Sequence, residues 1–192
     1  MITILIRESY RPNGFKRTLE SITAQTFKNV KIIVSYDDVR ALEYIPENIQ
    51  TVHVFKHDAM FWYDNYCNDL KSLVDEGYFF FLDSGDIFAY PSVLEVLWRH
   101  LKSSAGVVCQ MSRNGRIKPK KDLIENKRVL RGKIGMPCLF LHHSYKDVAH
   151  LDGSVCGSDY VWIKAVSKKV RLKFITLVVV ACGERDNGAM ES

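Results

Sequence analysis

The chain has 192 residues, of which 47% are hydrophobic and 26% are charged, and its formal net charge is +5. These values are typical of one globular domain that can bury a sizeable core. We expect no membrane-spanning segment, because no apolar run in the sequence approaches the roughly 20 residues that cross a bilayer.

The first half of the chain alternates short apolar runs with amphipathic stretches. Strands are predicted at residues 2–6, 30–36, 51–55 and 78–82, and helices at residues 13–27 and 64–77. In the first helix, Phe15, Leu19 and Ile22 recur at helical spacing. Because strands that alternate with helices form right-handed βαβ units, we expect a largely parallel sheet.

The second half of the chain is less regular. Helices are predicted at residues 90–104 and 158–169, and strands at residues 105–112, 137–145 and 172–183. No internal repeat or linker is apparent. We therefore expect a single α/β domain over residues 1–192, with a mostly parallel central sheet flanked by helices.

Polar side chains follow three predicted strands at the point where each strand ends. RESY (residues 7–10) follows the first strand, YDD (residues 36–38) ends the second, and DSGD (residues 83–86) follows an aromatic run. The carboxyl ends of parallel strands meet at one edge of a sheet, where open α/β sheets bind ligands. The alternative is that DSGD is only a turn, since Asp, Ser and Gly are common turn residues.

The acidic character of this predicted cleft narrows the choice of ligand. Its carboxylates can hold a divalent cation, or accept hydrogen bonds from sugar hydroxyls and a nucleobase. No G-x-G-x-x-G sequence follows the first strand and no Walker sequence occurs, which argues against dehydrogenases and P-loop enzymes.

Four stretches of the sequence carry a family resemblance. Residues 2–38 (ITILIRESYRPNGFKRTLESITAQTFKNVKIIVSYDD) and 68–88 (NDLKSLVDEGYFFFLDSGDIF) are the most specific; 157–166 (GSDYVWIKAV) and 183–188 (GERDNG) match less closely. On these residues the chain resembles the inverting glycosyltransferases of family 2. The resemblance implies the GT-A fold, a Rossmann-like nucleotide-diphospho-sugar transferase architecture. It also implies that residues 1–101 bind a nucleotide-sugar and residues 102–192 serve the acceptor.

The resemblance further implies roles for individual residues. The implied donor site consists of Arg7, Glu8, Tyr10, Asp37, Asp38, Asn68, Asp83, Ser84 and Arg185. Within it, Asp37 would accept hydrogen bonds from the uracil of a UDP-sugar, and Arg185 would close over the diphosphate. Asp159 would be the catalytic base that removes a proton from the acceptor hydroxyl.

The metal motif of the family has one departure in this chain. Asp83 begins the D-x-D motif, but Gly85 stands where the family pattern has a second Asp. The resemblance implies Mn²⁺ or Mg²⁺, with Asp83 and Asp86 as its protein ligands. Three alternatives remain: Asp86 replaces the missing ligand, the ion is held weakly, or the ion is dispensable.

Residues 113–133 (RNGRIKPKKDLIENKRVLRGK), which we call the basic segment, hold much of the positive charge. The segment could contact an anionic glycan, phosphates or a membrane surface, or it could be a solvated loop. We do not expect nucleic acid, because no aromatic side chain interleaves the charges.

The cellular location is predicted from the cysteines and from the first residues. Five scattered cysteines without a C-x-x-C pair indicate reduced thiols, and the apolar start is too short for a signal peptide. We expect a cytoplasmic protein, with peripheral membrane contact if the basic segment binds anionic lipid.

The function that we expect is transfer of a sugar from a nucleotide-sugar to an acceptor hydroxyl. Two alternatives belong to other classes. A nucleotide-sugar-binding module without catalysis is suggested by Gly85. A nucleotidyltransferase shares a related sheet but usually has a Gly-rich basic loop after its first strand, which RESYRPNGF does not provide.

Overall fold

The structure is a computed structural model that describes residues 1–55 and 63–183. Its strands are β1 (Ile2–Glu8), β2 (Val30–Tyr36), β3 (Gln50–His53), β4 (Tyr78–Asp83), β5 (Ile87–Phe88), β6 (Gly106–Arg113), β7 (Arg116–Lys118), β8 (Leu139–His142) and β9 (Lys173–Cys182). Its helices are α1 (Pro12–Thr23), α2 (Tyr63–Ser72), α3 (Val93–Leu101), α4 (Lys121–Glu125) and α5 (Ser158–Lys169), with 3₁₀ turns at Val39–Glu43, Met136–Cys138 and His143–Tyr145.

The strands form one sheet in the order β3-β2-β1-β4-β8-β6-β9-β5, with β7 paired to β6. The first four strands of this order are parallel to one another, as are β6 and β9, and the remaining pairs are antiparallel. The α/β class and the parallel first half are therefore confirmed. The sheet becomes mixed where β8 enters beside β4, in the half that the sequence pattern left irregular.

The aromatic strand β4 lies at the centre of the core because its side chains are buried on both faces of the sheet. Successive side chains of a strand point to opposite faces. Phe80 stacks on Phe140 of β8 with ring centroids 4.1 Å apart, whereas the ring of Phe81 meets Trp162 of α5 at 5.9 Å. A strand that is packed in this way is a rigid support for the residues that follow it.

Tertiary contacts end α1 earlier than its sequence pattern predicts. The helix was predicted to reach residue 27 but ends at Thr23. The side chain of Gln25 donates to the carbonyl of Tyr90 and accepts from the amide of Leu94, at 3.0 and 3.2 Å. These bonds tie the chain to the start of α3 and compete with another helical turn.

The basic segment is only partly a loop. It contains β7 and α4, and α4 is anchored by the buried Leu123 and Ile124. Most of its charged side chains are exposed. Over the described part of the chain, every helix is too short or too polar to cross a membrane.

Candidate functional site

The parallel register aligns the ends of β1, β2 and β4 at one edge of the sheet. Arg7 is the register partner of Asp83, and Glu8 is the partner of Tyr36. The structure thus brings the polar tips of the first and fourth strands side by side. This edge is the carboxyl end of the parallel strands, where ligands bind in open α/β sheets.

Arg7 and Asp83 form an ion pair across the two strand ends. The Nε of Arg7 donates to Oδ1 of Asp83 at 2.8 Å, and its Nη2 donates to the same oxygen. The Arg7 side chain is 14% exposed and that of Asp83 is 48% exposed. Burial opposes the charge of Arg7, but the charge of Asp83 and its hydrogen bond outweigh burial and raise the pKa of Arg7. The guanidinium is therefore a fixed positive charge.

Two further carboxylates lie within electrostatic range of Arg7. Asp64, in the first turn of α2, is 3% exposed, and burial raises its pKa against the opposing effects of a Ser158 hydrogen bond and of Arg7. Asp159, in the first turn of α5, also has its pKa raised by burial, while the Tyr160 amide and Arg7 oppose the shift. We call the three acids Asp64, Asp83 and Asp159, together with Arg7, the acid cluster.

Asp64 was missed by the sequence reasoning. An acid in the first turn of a helix is favoured by the helix dipole alone, so its position carried no separate signal. Only the packing of α2 against β1 and β2 brings it near Arg7.

The turn that follows β4 is held against α1 by Thr18. The amide of Gly85 donates to the Thr18 hydroxyl at 2.9 Å, and that hydroxyl donates to the carbonyl of Asp86 at 2.8 Å. Gly85 has φ +100°, a conformation that side chains rarely adopt. A carboxylate at position 85 would therefore require a strained backbone, which explains the glycine in structural terms.

The carboxylate of Asp86 is directed at the end of β9. Asp86 is 7% exposed, and its Oδ1 accepts the amide of Gly183 at 3.2 Å. Burial, followed by the charge of Asp83, raises the pKa of Asp86 to about 7. Asp86 therefore joins the turn to the last described residue of the chain.

The residues of this turn do not fit a dedicated metal site. Oδ1 of Asp83 takes both hydrogen bonds from Arg7, and Oδ1 of Asp86 takes one from Gly183. Within residues 1–55 and 63–183, no three His, Cys, Asp or Glu side chains are grouped so that they could hold an ion. The predicted ligand pair of Asp83 and Asp86 has only two carboxylates, so it stays a prediction.

Glu8 and Tyr10 shape the end of β1. Glu8 is 1% exposed, and its Oε1 accepts from the Tyr44 hydroxyl at 2.7 Å and from the amide of Arg11. Its Oε2 has no partner among the described residues. The ring of Tyr10 lies 4.0 Å from the guanidinium carbon of Arg40. A buried acceptor without a partner is uncommon in folded proteins.

Asp37 and Asp38 differ in their surroundings. Asp38 caps the 3₁₀ turn, since its Oδ1 accepts the Arg40 amide at 3.0 Å, and it also pairs with the Arg40 guanidinium at 2.6 Å. The Oδ2 of Asp37 accepts a long hydrogen bond of 3.5 Å from the Ser9 hydroxyl. Burial is the main cause that raises the pKa of Tyr66, and the charge of Asp37 adds to it. Asp37 is half-buried at the end of β2.

The three other predicted donor residues occupy different settings. The amide of Asn68 makes two bonds with the backbone of Leu151, at 2.9 and 3.0 Å, so it fastens α2 to the loop before α5. The buried Oγ of Ser84 has no partner among the described residues. Arg185 lies outside the described residues.

An open groove of about 620 Å³ runs along α1, apart from these residues. It is lined mainly by the outer face of α1 and by Tyr44, and none of its lining residues belongs to the acid cluster.

No protein-family model matches the chain, and no curated protein is significantly similar to it. Solved structures do match. S. aureus TarS 1–349 superposes with a TM-score of 0.76 at 12% identity, over 95% of this chain and 60% of that chain. The TarS complex with UDP-GlcNAc gives 0.72 at 12% identity, over 100% of this chain and 60% of that one. The Pyrobaculum calidifontis mannosyltransferase in complex with GDP-Man and Mn²⁺ gives 0.66 at 13% identity, over 97% and 58%.

The chain has the GT-A fold of glycosyltransferases. The expected fold is confirmed, and at these identities the similarity extends to the fold alone. The chain spans about 60% of the length of these structures.

Proposed function

We propose that the chain is a glycosyltransferase that transfers a sugar from a UDP-sugar to an acceptor hydroxyl with inversion. The observation that carries the proposal is the acid cluster at the carboxyl ends of parallel strands in a chain with the GT-A fold. Such strand ends are where α/β sheets bind nucleotides. The solved neighbours include complexes with UDP, UDP-GlcNAc and GDP-Man, which supports a nucleotide-sugar as donor.

The donor is assigned to the ends of β1, β2 and β4. Asp37 would accept hydrogen bonds from the uracil, and by resemblance Glu8 and Ser84 belong to the same donor site. Carboxylates suit this task, because hydroxyl groups and a base N–H donate to them. Arg185 is assigned to the diphosphate by resemblance.

Asp159 is the proposed catalytic base. Its carboxylate would take the proton of the acceptor hydroxyl as that oxygen bonds to the anomeric carbon. The bond between that carbon and the phosphate oxygen breaks, and its electron pair leaves with the nucleoside diphosphate. Burial raises the pKa of Asp159, which brings a carboxylate closer to the range in which a general base is effective at neutral pH.

A binding module without catalysis is the second candidate. The observation that favours it is the turn after β4, where Gly85 has no carboxylate and Asp86 is bonded to Gly183. This candidate keeps the nucleotide site but predicts no turnover.

Incubation with a panel of UDP- and GDP-sugars tests the proposal. The melting temperature reports binding, and release of the nucleoside diphosphate, with water as the acceptor of the sugar, reports turnover. We expect both signals with at least one UDP-sugar. Binding without release would favour the module, and neither signal with any sugar would contradict the proposed function.

A further inference from the structure

The ion pair between Arg7 and Asp83 occupies the position where the resemblance places a metal ligand. Asp83 begins the D-x-D motif, yet its Oδ1 receives two N–H groups from Arg7. An arginine is not deprotonated in proteins and binds carboxylates with fixed geometry. The carboxylate of Asp83 therefore has a permanent counter-charge that is part of the chain.

The position of Arg7 is set by the sheet and by the core beneath it. Arg7 is at the end of β1, in register with Asp83 on β4. Its side chain is largely buried, and it interacts with the fully buried Cys67 of α2. Both ends of the ion pair are thus supported by packed elements.

The other residues of the turn after β4 leave little for a divalent ion. Gly85 has no side chain, and Asp86 bonds the amide of Gly183. At Asp83 an ion would have to approach a carboxylate whose other side already carries a guanidinium, and like charges at a few ångströms repel. A second guanidinium, that of Arg113, lies within electrostatic range of Asp159.

We propose that Arg7 neutralises Asp83 in place of a divalent cation, so that a nucleoside diphosphate binds at this site without a metal ion. The inference rests on the proposed function, because it takes the nucleotide as the ligand. Arg7 is a positioning residue: it holds Asp83 and reduces the negative charge that the diphosphate meets.

Calorimetric titration of the whole chain with UDP tests this inference, first in excess chelator and then in Mn²⁺. We expect the two dissociation constants of the unaltered chain to agree within about twofold, well below the tenfold that corresponds to ~1.4 kcal/mol. At least about tenfold tighter binding in Mn²⁺ would overturn the inference and leave the proposed function standing. No binding of UDP or GDP in either medium would overturn both.

Two variants give the test a readout that a loss of folding would not mimic. Arg7→Gln should weaken UDP binding in chelator by at least about tenfold, and Mn²⁺ should restore part of it, because Asp83 is then open to an ion. Asp83→Asn removes the charge that Arg7 offsets, so it should change the UDP dissociation constant by the same factor in chelator and in Mn²⁺. A loss confined to Mn²⁺ in Asp83→Asn would identify Asp83 as a metal ligand and overturn the inference. Arg99→Gln removes an exposed ion pair with Glu95 on α3 and should change neither constant.

Discussion

Arg7 and Asp83 are register partners at the ends of two parallel strands, and the guanidinium of Arg7 donates two N–H groups to one oxygen of Asp83. The pair joins the end of β1 to the turn that follows the aromatic strand β4. The two acids that follow the aromatic strand each have a structural partner. Asp83 holds the edge of the site through Arg7, and Asp86 holds the end of β9 through Gly183.

Asp37 is predicted to select uracil. UDP should stabilise the chain more than GDP, ADP or CMP does, since a ligand at 100 times its Kd adds about 2.7 kcal/mol. In a chain of this size that corresponds to a rise of roughly 5–10 °C in melting temperature. Asp37→Ala should remove the preference for UDP without unfolding the chain, whereas Asp122→Ala, at an exposed position on α4, should retain it. Equal shifts with all four nucleotides would contradict the uridine assignment.

The raised pKa of Asp86 predicts that the stability of the fold depends on pH. Its pKa is raised to about 7 by burial and by Asp83, whereas an unfolded Asp titrates near about 3.9. The folded chain therefore keeps this proton to higher pH than the unfolded chain. The contribution of this proton to the free energy of unfolding is fully present below about pH 4 and is lost as the pH rises to about 7.

Thermal melts of Asp86→Asn across this range check the expectation. The asparagine oxygen can still accept the amide of Gly183, but it does not titrate. The difference between the melting temperature of the variant and that of the unaltered chain should shift in favour of the variant as the pH rises from about 4 to about 7. A difference that does not vary with pH would count against a titrating Asp86.

Gly85→Asp, which restores the family pattern, is predicted to destabilise the chain. A side chain at φ +100° costs of order 1–3 kcal/mol, and the added carboxylate would lie beside Asp83 and Asp86. The melting temperature should fall by several degrees, while Ser103→Asp at an exposed turn should leave it nearly unchanged. An unchanged melting temperature in Gly85→Asp would show that the turn accommodates a side chain.

The basic segment is predicted to contact an anionic acceptor or membrane surface. Its exposed cations should bind anionic vesicles or charged glycans, and the binding should weaken with salt because the Debye length is only about 8 Å at physiological ionic strength. Reversing the charges of Arg116 and Lys127 should abolish this binding, while reversing Lys102 and Lys168 should not. Binding that is insensitive to salt, or absent at low salt, would contradict this prediction and favour the alternative that the segment is a solvated surface.

The sequence pattern predicted regular elements well where local and tertiary preferences agree. The bounds of β2 and α5 match the predicted residues 30–36 and 158–169. The predicted end of α1 was wrong, because the side chain of Gln25 bonds to Tyr90 and Leu94, which lie 65 and 69 positions further along the chain. Local periodicity contains no information about such contacts.

The candidate site was predictable in outline but not in its pairing. Acids at strand ends indicated the edge of the sheet, yet the bond between Arg7 and Asp83 depends on the register of β1 and β4. Asn68 was expected beside the nucleotide, and the structure gives its amide two bonds to Leu151. Its contact with a donor remains a prediction.

Release of UDP from UDP-sugars by Asp159→Asn, compared with Asp152→Asn, tests the central claim most directly. Asp152 lies in the loop before α5 and is exposed, with its carboxylate bonded to Ser154, so it controls for the loss of an acid nearby. We predict that Asp159→Asn lowers turnover by about 10²–10⁴-fold with UDP affinity unchanged, since a general base contributes that much, and that Asp152→Asn turns over normally. Equal turnover in the two variants would contradict a glycosyltransferase that uses Asp159 as its base.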